Sequence, residues 1–372
     1  MRHLENLDPA TREVLDQYGF EDLPFAELAR RLATDGHDPE ANRLTVPVAP
    51  PPQGAIRRLP EPGSEDERRL ADIGREAIRT GQLGVAVLNG GMATRFGGGT
   101  KGIVPAAGGR SFLDLKLSQA ISASDGAAPL FLMNSFATDA DTRRHLEGLG
   151  LANRVSCFSQ FVSLRLTPAG ELFTDAAGRP SLHAPGHGDL PFAMVRSSLL
   201  ESFIEGGGRW LTVSNVDNLG ATLEPVVVGS HIDSGMPMTV ELVDQLPGDV
   251  GGFPAVVGGR MTIVEGFRVP AGFDHSSVGV FNTNTFVFDA AALRSTRELD
   301  WFSVLKQVDG QPVIQFERLL GQLPDHVDTG WLHVERTGPR ARFLPVKTPE
   351  ELAERAGEID AVLRHCGLLE PT

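Results

Sequence analysis

Residues 84–102 read GVAVLNGGMATRFGGGTKG. The first five form an unbroken apolar run of strand length, and a glycine-rich loop carrying two cations, Arg95 and Lys101, follows at once. Glycines let a backbone approach a ligand closely, and consecutive N–H groups can cradle phosphate oxygens. A buried strand that empties into such a loop predicts an α/β fold with a phosphate site at the strand's carboxyl end. It is not the P-loop of common NTPases, because Gly102 stands after Lys101 where Ser or Thr is required.

Working outward, a helical stretch after Ser111, the apolar run APLFLMN (128–134) and a helix through Arg143 to Leu149 continue the alternation of strand and helix. That order predicts a parallel sheet covered on both faces. Later runs are more β-like: VSCFSQ (155–160), WLTVSN (210–215), MPMTVELVD (236–244), AVVGG with MTIVEGF (255–267), and GVFNTNTFVF (279–288). Together they predict a mixed central sheet. Upstream, Asp8–Pro9 is an N-cap with proline in the first turn, and Phe25, Leu28, Ala29 and Leu32 share one helical face. The proline-rich stretch 46–63 reads as an extended connector, and Ser64 with Glu67 forms a capping box for a helix ending near Gly81 and Gly84. The expected organisation is a helical segment with its connector over residues 1–80 and a catalytic domain over 81–372.

The 372 residues carry 48 acidic and 34 basic side chains, a net charge of -14, and 41% are hydrophobic. That balance supports a substantial core and argues against a nucleic-acid binder, whose affinity rests on clustered cations. Cys157 and Cys366 lack CxxC neighbours, so two free thiols in a reducing compartment are expected. No signal peptide or membrane-length apolar run is visible, and a cytoplasmic location is expected.

Five further segments place polar groups where an anionic ligand could use them. SNVDNLGA (214–221) leaves the run WLTV, so Asp217 projects from the carboxyl end of a buried strand, a position suited to Mg²⁺; alone, Asp-Asn also reads as an Asx turn. APGHGD (184–189) sets His187 among glycines, where a lone histidine is most often a neutral surface residue. VELVDQLPGDVGGFPAV (240–256) and FNTNTF (281–286) offer asparagines and bare glycine backbone, which suit a hydroxyl-rich ligand or a strand end. In FLPVKTPEEL (343–352), Thr348 and Pro349 begin a helix that anchors Lys347.

Taken in order across residues 84–352, these segments resemble the UDP-sugar pyrophosphorylases, the group containing UTP–glucose-1-phosphate uridylyltransferase and UDP-N-acetylglucosamine pyrophosphorylase. Gly90, Gly91, Ala93, Thr94, Arg95, Gly97 and Lys101 match that family's loop, with Thr100 where proline is usual. The resemblance implies a Rossmann-like nucleotidyltransferase fold with a helical N-terminal segment and, since the sequence stops soon after Lys347, no C-terminal β-helix domain. The phrase GREAIRTGQLGVAVLNGG (74–91) looks more like the N-acetylglucosamine branch. The implied partners are a nucleoside triphosphate, most readily UTP, and a sugar 1-phosphate, with Mg²⁺ as cofactor and neither nucleic acid nor membrane involved; oligomeric state is left open.

Carried over by position, Lys347, Arg95 and Lys101 are the catalytic cations and Asp217 the metal ligand. Leu88, Asn89, Gly90, Gly91, Gln160, Gly186 and Asn215 are the nucleotide contacts, with the Gln160 amide suited to the uracil edge. His187, Glu241, Gly252, Asn282 and Asn284 are the sugar-phosphate contacts. Two rival readings stay open: the same fold using GTP with a cyclitol or unusual sugar phosphate, and a non-catalytic sugar-nucleotide sensor, motivated by Ala93 and Thr100.

Overall fold

The computed structural model describes residues 7–296 and 298–369. Its frame is an eight-stranded sheet, in spatial order Arg57–Arg58, Thr329–His333, Met238–Asp244, Val280–Asp289, Trp210–Asn215, Leu83–Leu88, Leu130–Asn134 and Val155–Ser159. Only Val280–Asp289 runs against its neighbours; every other pairing in the sheet is parallel. Such a sheet is buried on both faces, which is why GVAVL and LFLMN are continuous apolar runs rather than alternating ones.

Side chains of one strand alternate between two cores. Ala86 and Leu88 join Met133, Val213, Val240 and Phe286 under the helices Leu190–Arg196 and Leu199–Glu205. Val87 points the other way, to Leu117, Leu132 and Leu344 beneath the helices Phe112–Ala123 and Ala356–His365. On that second face the helices Glu65–Arg79 and Pro225–Ser234 cross at glycine. A Cβ on Gly74 would lie 1.9 Å from the Pro225 carbonyl oxygen, and one on Gly229 1.8 Å from that of Leu70, so the crossing admits no side chain.

Several local readings of the sequence reappear as caps. Asp8 accepts from the Thr11 amide at the start of Pro9–Tyr18, Ser64 from Glu67 at the start of Glu65–Arg79, and Ser111 from Asp114 at the start of Phe112–Ala123. Phe25, Ala29 and Leu32 of the helix Asp22–Asp35 are buried against Leu164, Leu166, Ile314 and Phe316. The connector carries two short strands, Val48–Ala49 pairing with Phe253–Val257 and Arg57–Arg58 closing the edge of the large sheet.

Three strands of five residues or more lie where the sequence reading assigns none. Phe302–Val308 and Gln311–Glu317 form a hairpin closed by Asp309 and Gly310, both at positive φ (50° and 75°), as a two-residue turn between right-twisted strands requires. Thr329–His333 adds a short parallel strand next to Met238–Asp244. No helix among the described residues is long and apolar enough to cross a membrane.

Candidate active site

Because the strands are parallel, their carboxyl ends share one edge, and the strand-end residues of the site segments meet there. Asn215 pairs with Leu88, Leu88 with Met133, and Asn134 with Ser159, so the Asn89 loop, the Asp217 turn and Gln160 leave the sheet side by side. The crevice beyond the carboxyl ends of parallel strands is the general ligand site of open α/β sheets.

The loop after Leu88 folds back on itself. Ala93 donates to the Gly99 carbonyl, Gly98 to that of Ala93 and Lys101 to that of Gly91, while Met92 bridges Thr100. Gly97, Gly98 and Gly99 all sit at positive φ (90°, 106° and 79°), a path that L side chains rarely follow. Thr100 holds φ −83° and ψ 124°, extended and close to the φ that proline imposes. Lys101 is delivered inward, 6% exposed, with its ammonium 3.8 Å from the centre of the Phe96 ring. Arg95 is exposed on the loop's outer turn.

Opposite stands the Asp217 turn, clamped to the segment that ends in Lys347. Asn218 Oδ1 accepts from the Leu344 amide, the Leu219 amide donates to Leu344, and the Val346 amide donates to the Asp217 carbonyl. Gly220 is needed there because a Cβ would lie 2.7 Å from the Ala341 oxygen. Lys347 is fixed from the far side by its own amide, which donates to Glu351 at 2.6 Å, and by the Thr348 cap of the helix Pro349–Glu354. The four charges therefore share one field. Burial pushes the Asp217 carboxyl up against the pull of Lys101 and Lys347, and burial lowers the Lys101 ammonium, with Asp217 and Glu351 opposing and Arg95 and Lys347 reinforcing. Three cations against the carboxylates of Asp217 and Glu351 leave a net positive spot in a chain of net charge -14.

Asp217 fits a divalent cation that arrives with phosphates. Its carboxylate takes a hydrogen bond from its own backbone amide and from no other residue among those described, which contain no group of three or more His, Cys, Asp or Glu able to hold a metal alone. Mg²⁺ in phosphoryl-transfer sites commonly takes one or two carboxylates, with substrate oxygens and water completing its shell.

Gln160 is buried beside Gly90, where a Cβ would come within 2.7 Å of its Nε2; its backbone amide donates to the Asn134 carbonyl, while its side-chain amide makes no hydrogen bond within the described residues. Its position is set by a neighbour: the Phe161 amide donates to Asp189, the last residue of APGHGD. Asp189 also accepts from Arg318, which reaches Glu21 at 2.6 Å and lies between the rings of Phe161, Phe192 and Trp301. Gly186 and Gly188 allow the loop to press on the backbone of Arg318; Gly186 holds φ +114° with the Arg318 oxygen 2.8 Å from its missing Cβ. His187 accepts from the Leu320 amide through Nδ1, and burial pushes its pKa down to about 4, so the ring is neutral at pH 7 and its proton sits on Nε2.

Among the expected sugar contacts, Asn284 occupies the left-handed region at φ 54° in a bulge opposite Glu241, which turns its side-chain amide to donate to Asn215 Oδ1 at 3.1 Å. Asn282 accepts from the Asn284 amide and donates its own to the Gly252 carbonyl, so the three expected sugar contacts are one linked unit. A further carboxylate joins them: Glu265 lies 2.8 Å from where a Gly252 Cβ would stand, and no sequence signal singled it out. Burial pushes its pKa up to about 7 against the pull of Arg268. The native state holds this proton more tightly than the unfolded chain, so stability falls as pH rises from about 4.5 to about 7. Glu265→Gln is expected to remove that slope: thermal melts of variant and wild type should diverge across this window and run parallel above it. Identical slopes would show that the carboxylate is not strained by burial.

Three expected contacts are placed differently. Glu241 faces away from the Asn282 side and is 1% exposed, with both oxygens engaged by Arg342 at 2.7 and 2.8 Å. A sugar hydroxyl has no access to it, and Glu241 leaves the substrate list. Leu88 is core, and the Asn89 side chain donates inward to Asn134 and Thr142, so both residues position the loop rather than touch a ligand through their side chains.

Beneath the Asp217 turn sits a cation the sequence reading passes over. Lys116 is buried and donates to Ser214, Asn218 and Ala221; burial, with Arg342 adding to it, lowers its pKa to about 7.

Comparison with known proteins joins these observations. The family model described as UTP–glucose-1-phosphate uridylyltransferase matches residues 52–357. The UTP–glucose-1-phosphate uridylyltransferase of Saccharomyces cerevisiae is 33% identical over 297 residues, 73% of this chain and 58% of that protein. That of Encephalitozoon cuniculi is 29% identical over 312 residues, 79% of this chain and 60% of that protein. The chain thus spans about three-fifths of the length of these relatives. Among solved structures, a UDP-glucose phosphorylase from Trypanosoma brucei superposes with a TM-score of 0.73 at 22% identity, covering 91% of this chain and 76% of the other. The UDP-N-acetylglucosamine pyrophosphorylase of the same organism gives 0.70 at 19% identity, covering 82% and 72%. At these identities the structural likeness establishes a shared fold.

Proposed function

The chain belongs to the UTP–glucose-1-phosphate uridylyltransferase family, and on that premise we propose that it joins a nucleoside triphosphate, UTP by preference, to a glucose- or N-acetylhexosamine-like sugar 1-phosphate, releasing pyrophosphate. The observation that carries the reading is the meeting of Arg95, Lys101, Asp217 and Lys347 in one electrostatic field at the carboxyl edge of the sheet. The Rossmann-like description of that sheet and the Mg²⁺ requirement belong to the proposal.

In this reading the glycine loop receives the triphosphate and Gln160 pairs with the uracil edge. An oxygen of the sugar phosphate attacks the α-phosphorus in line, forming a new P–O bond as the bond to the β-phosphate breaks. The attacking oxygen is already anionic, so no side chain has to act as general base, and the residues contribute alignment and charge stabilisation. Mg²⁺, held by Asp217, would supply neutralisation of phosphate charge when bound. Lys347, Lys101 and Arg95 stabilise the charge that gathers on the leaving pyrophosphate. The neutral His187 can donate from Nε2 to a phosphate or hydroxyl oxygen, while the Asn282–Asn284 unit and Glu265 face the sugar.

The testing experiment is a matrix of UTP, GTP, ATP and dTTP against glucose, N-acetylglucosamine and cyclitol phosphates, read by pyrophosphate release. UTP with a hexose 1-phosphate is expected to dominate, and silence across the whole matrix would reject the enzyme reading. Gln160→Leu is expected to raise KM for UTP roughly 10- to 100-fold, because one face of the base loses its partner in a buried pocket. An unchanged KM and unchanged preference over GTP would remove Gln160 from base recognition.

A further inference from the structure

The helix Phe112–Ala123 turns Phe112, Leu113, Leu115 and Leu117 into the protein, and a lysine accompanies them. Lys116 is 7% exposed, and its Nζ donates to Ser214 Oγ at 2.8 Å, the Asn218 carbonyl at 3.1 Å and the Ala221 carbonyl at 2.7 Å. An ammonium has three protons, and all three are spent on one turn. The acceptors span that turn from end to end, with Asp217 at its crest. Burying an ammonium is costly and an apolar residue packs a helix–sheet interface at no such cost, so core packing alone leaves this lysine unexplained. Nor does it reach the substrates in the reading above.

We propose that Lys116 is a positioning residue: its ammonium fastens the Ser214–Ala221 turn from beneath and thereby sets the Asp217 carboxylate at the place where a divalent cation meets the phosphates. Two features of the structure require such a fastening. The Asn218 and Ala221 carbonyls turn inward, away from the sheet ladder, and need a donor from the core side. The upper side of the same turn is already tied, through Asn218 and the Asp217 carbonyl, to the segment that presents Lys347. The turn is thus held from both sides, and releasing the lower one leaves the carboxylate to swing against fixed cations. Arg342, held by Glu241 in the same layer, donates to Thr222 just beyond the turn and cannot replace the lost donors, since its guanidinium is committed there.

The inference rests on the nucleotidyl-transfer reading, and its test separates the two. Lys116→Met keeps length and apolar bulk and removes the three donors. The Mg²⁺ concentration giving half-maximal pyrophosphate release is expected to rise about tenfold, while kcat at saturating Mg²⁺ and KM for the sugar phosphate stay within about threefold of wild type. In thermal melts, UTP alone should stabilise both proteins equally, and the extra stabilisation on adding Mg²⁺ should shrink in the variant. Superimposable metal titrations in both assays would overturn the proposal. If Lys116→Met does not fold, Ser214→Ala, which deletes one acceptor, is expected to move the metal midpoint two- to threefold in the same direction, and an unmoved midpoint there would overturn it equally. A wild-type protein that releases no pyrophosphate defeats the functional reading, yet the thermal comparison still decides the role of Lys116. A wild type that releases pyrophosphate but gains no metal-dependent stabilisation, with a metal titration of turnover that Lys116→Met leaves unmoved, overturns the role of Lys116 alone.

Discussion

Lys347→Ala is expected to lower kcat by roughly 10²- to 10³-fold, the loss typical of removing one preorganised donor from a site where charge develops. The size of the effect follows from how firmly the residue is held. Its backbone is pinned by the Val346 amide on the Asp217 carbonyl, by its own amide on Glu351 and by the Thr348 cap, while its ammonium is exposed and forms no ion pair among the described residues. A cation whose backbone is pinned and whose ammonium has no competing ion pair stays available to the phosphates. The same exposure means that its loss should leave folding intact, within about 0.5 kcal/mol by denaturant titration. A variant with wild-type turnover would strike Lys347 from the catalytic set.

The second large effect is expected at Asp217. Asp217→Ala should raise the Mg²⁺ concentration for half-maximal turnover by at least the roughly 10- to 100-fold that follows loss of a mere supporting partner at metal sites. The variant should melt no lower than wild type, because burial pushes this carboxyl's pKa up and its ionised form is held at a cost in the free protein. Lost metal dependence with retained stability marks a residue kept for function rather than for folding. A normal metal titration in the folded variant would exclude Asp217 as the ligand.

Much of this site is legible in the chain because its parts are local. A glycine loop following a strand, an Asp after WLTVSN and a lysine before a capped helix each declare themselves within a dozen residues, and parallel pairing then brings them to one edge. What stays hidden is long-range and buried. Arg342 and Glu241 are far apart in sequence, and VELVD reads as a strand with its acid outward. The strand is in fact covered on both faces, so the acid is taken into an ion pair instead of a sugar pocket. Lys116 looks like an ordinary helix lysine, and only the inward carbonyls of a turn a hundred residues away give it a purpose. Arg318, which ties Asp189 to Glu21 and so steadies the neighbourhood of Gln160, has no local motif at all. The hairpin 302–317 is a different failure, since the Asp309–Gly310 dipeptide between alternating apolar residues is a readable turn signal that the strand pattern elsewhere overshadowed.

The claim on which the rest depends is that four charged residues from three separate segments serve one triphosphate. A crystal structure of the full chain with Mg²⁺ and a non-hydrolysable UTP analogue tests it directly. The account predicts the metal on the Asp217 carboxylate, phosphate oxygens on the amides of Gly90 and Gly91 and within reach of Arg95, Lys101 and Lys347, and the uracil edge on Gln160. A nucleotide seated away from the carboxyl edge of the sheet, or phosphates that leave Lys101 and Lys347 untouched, would contradict it.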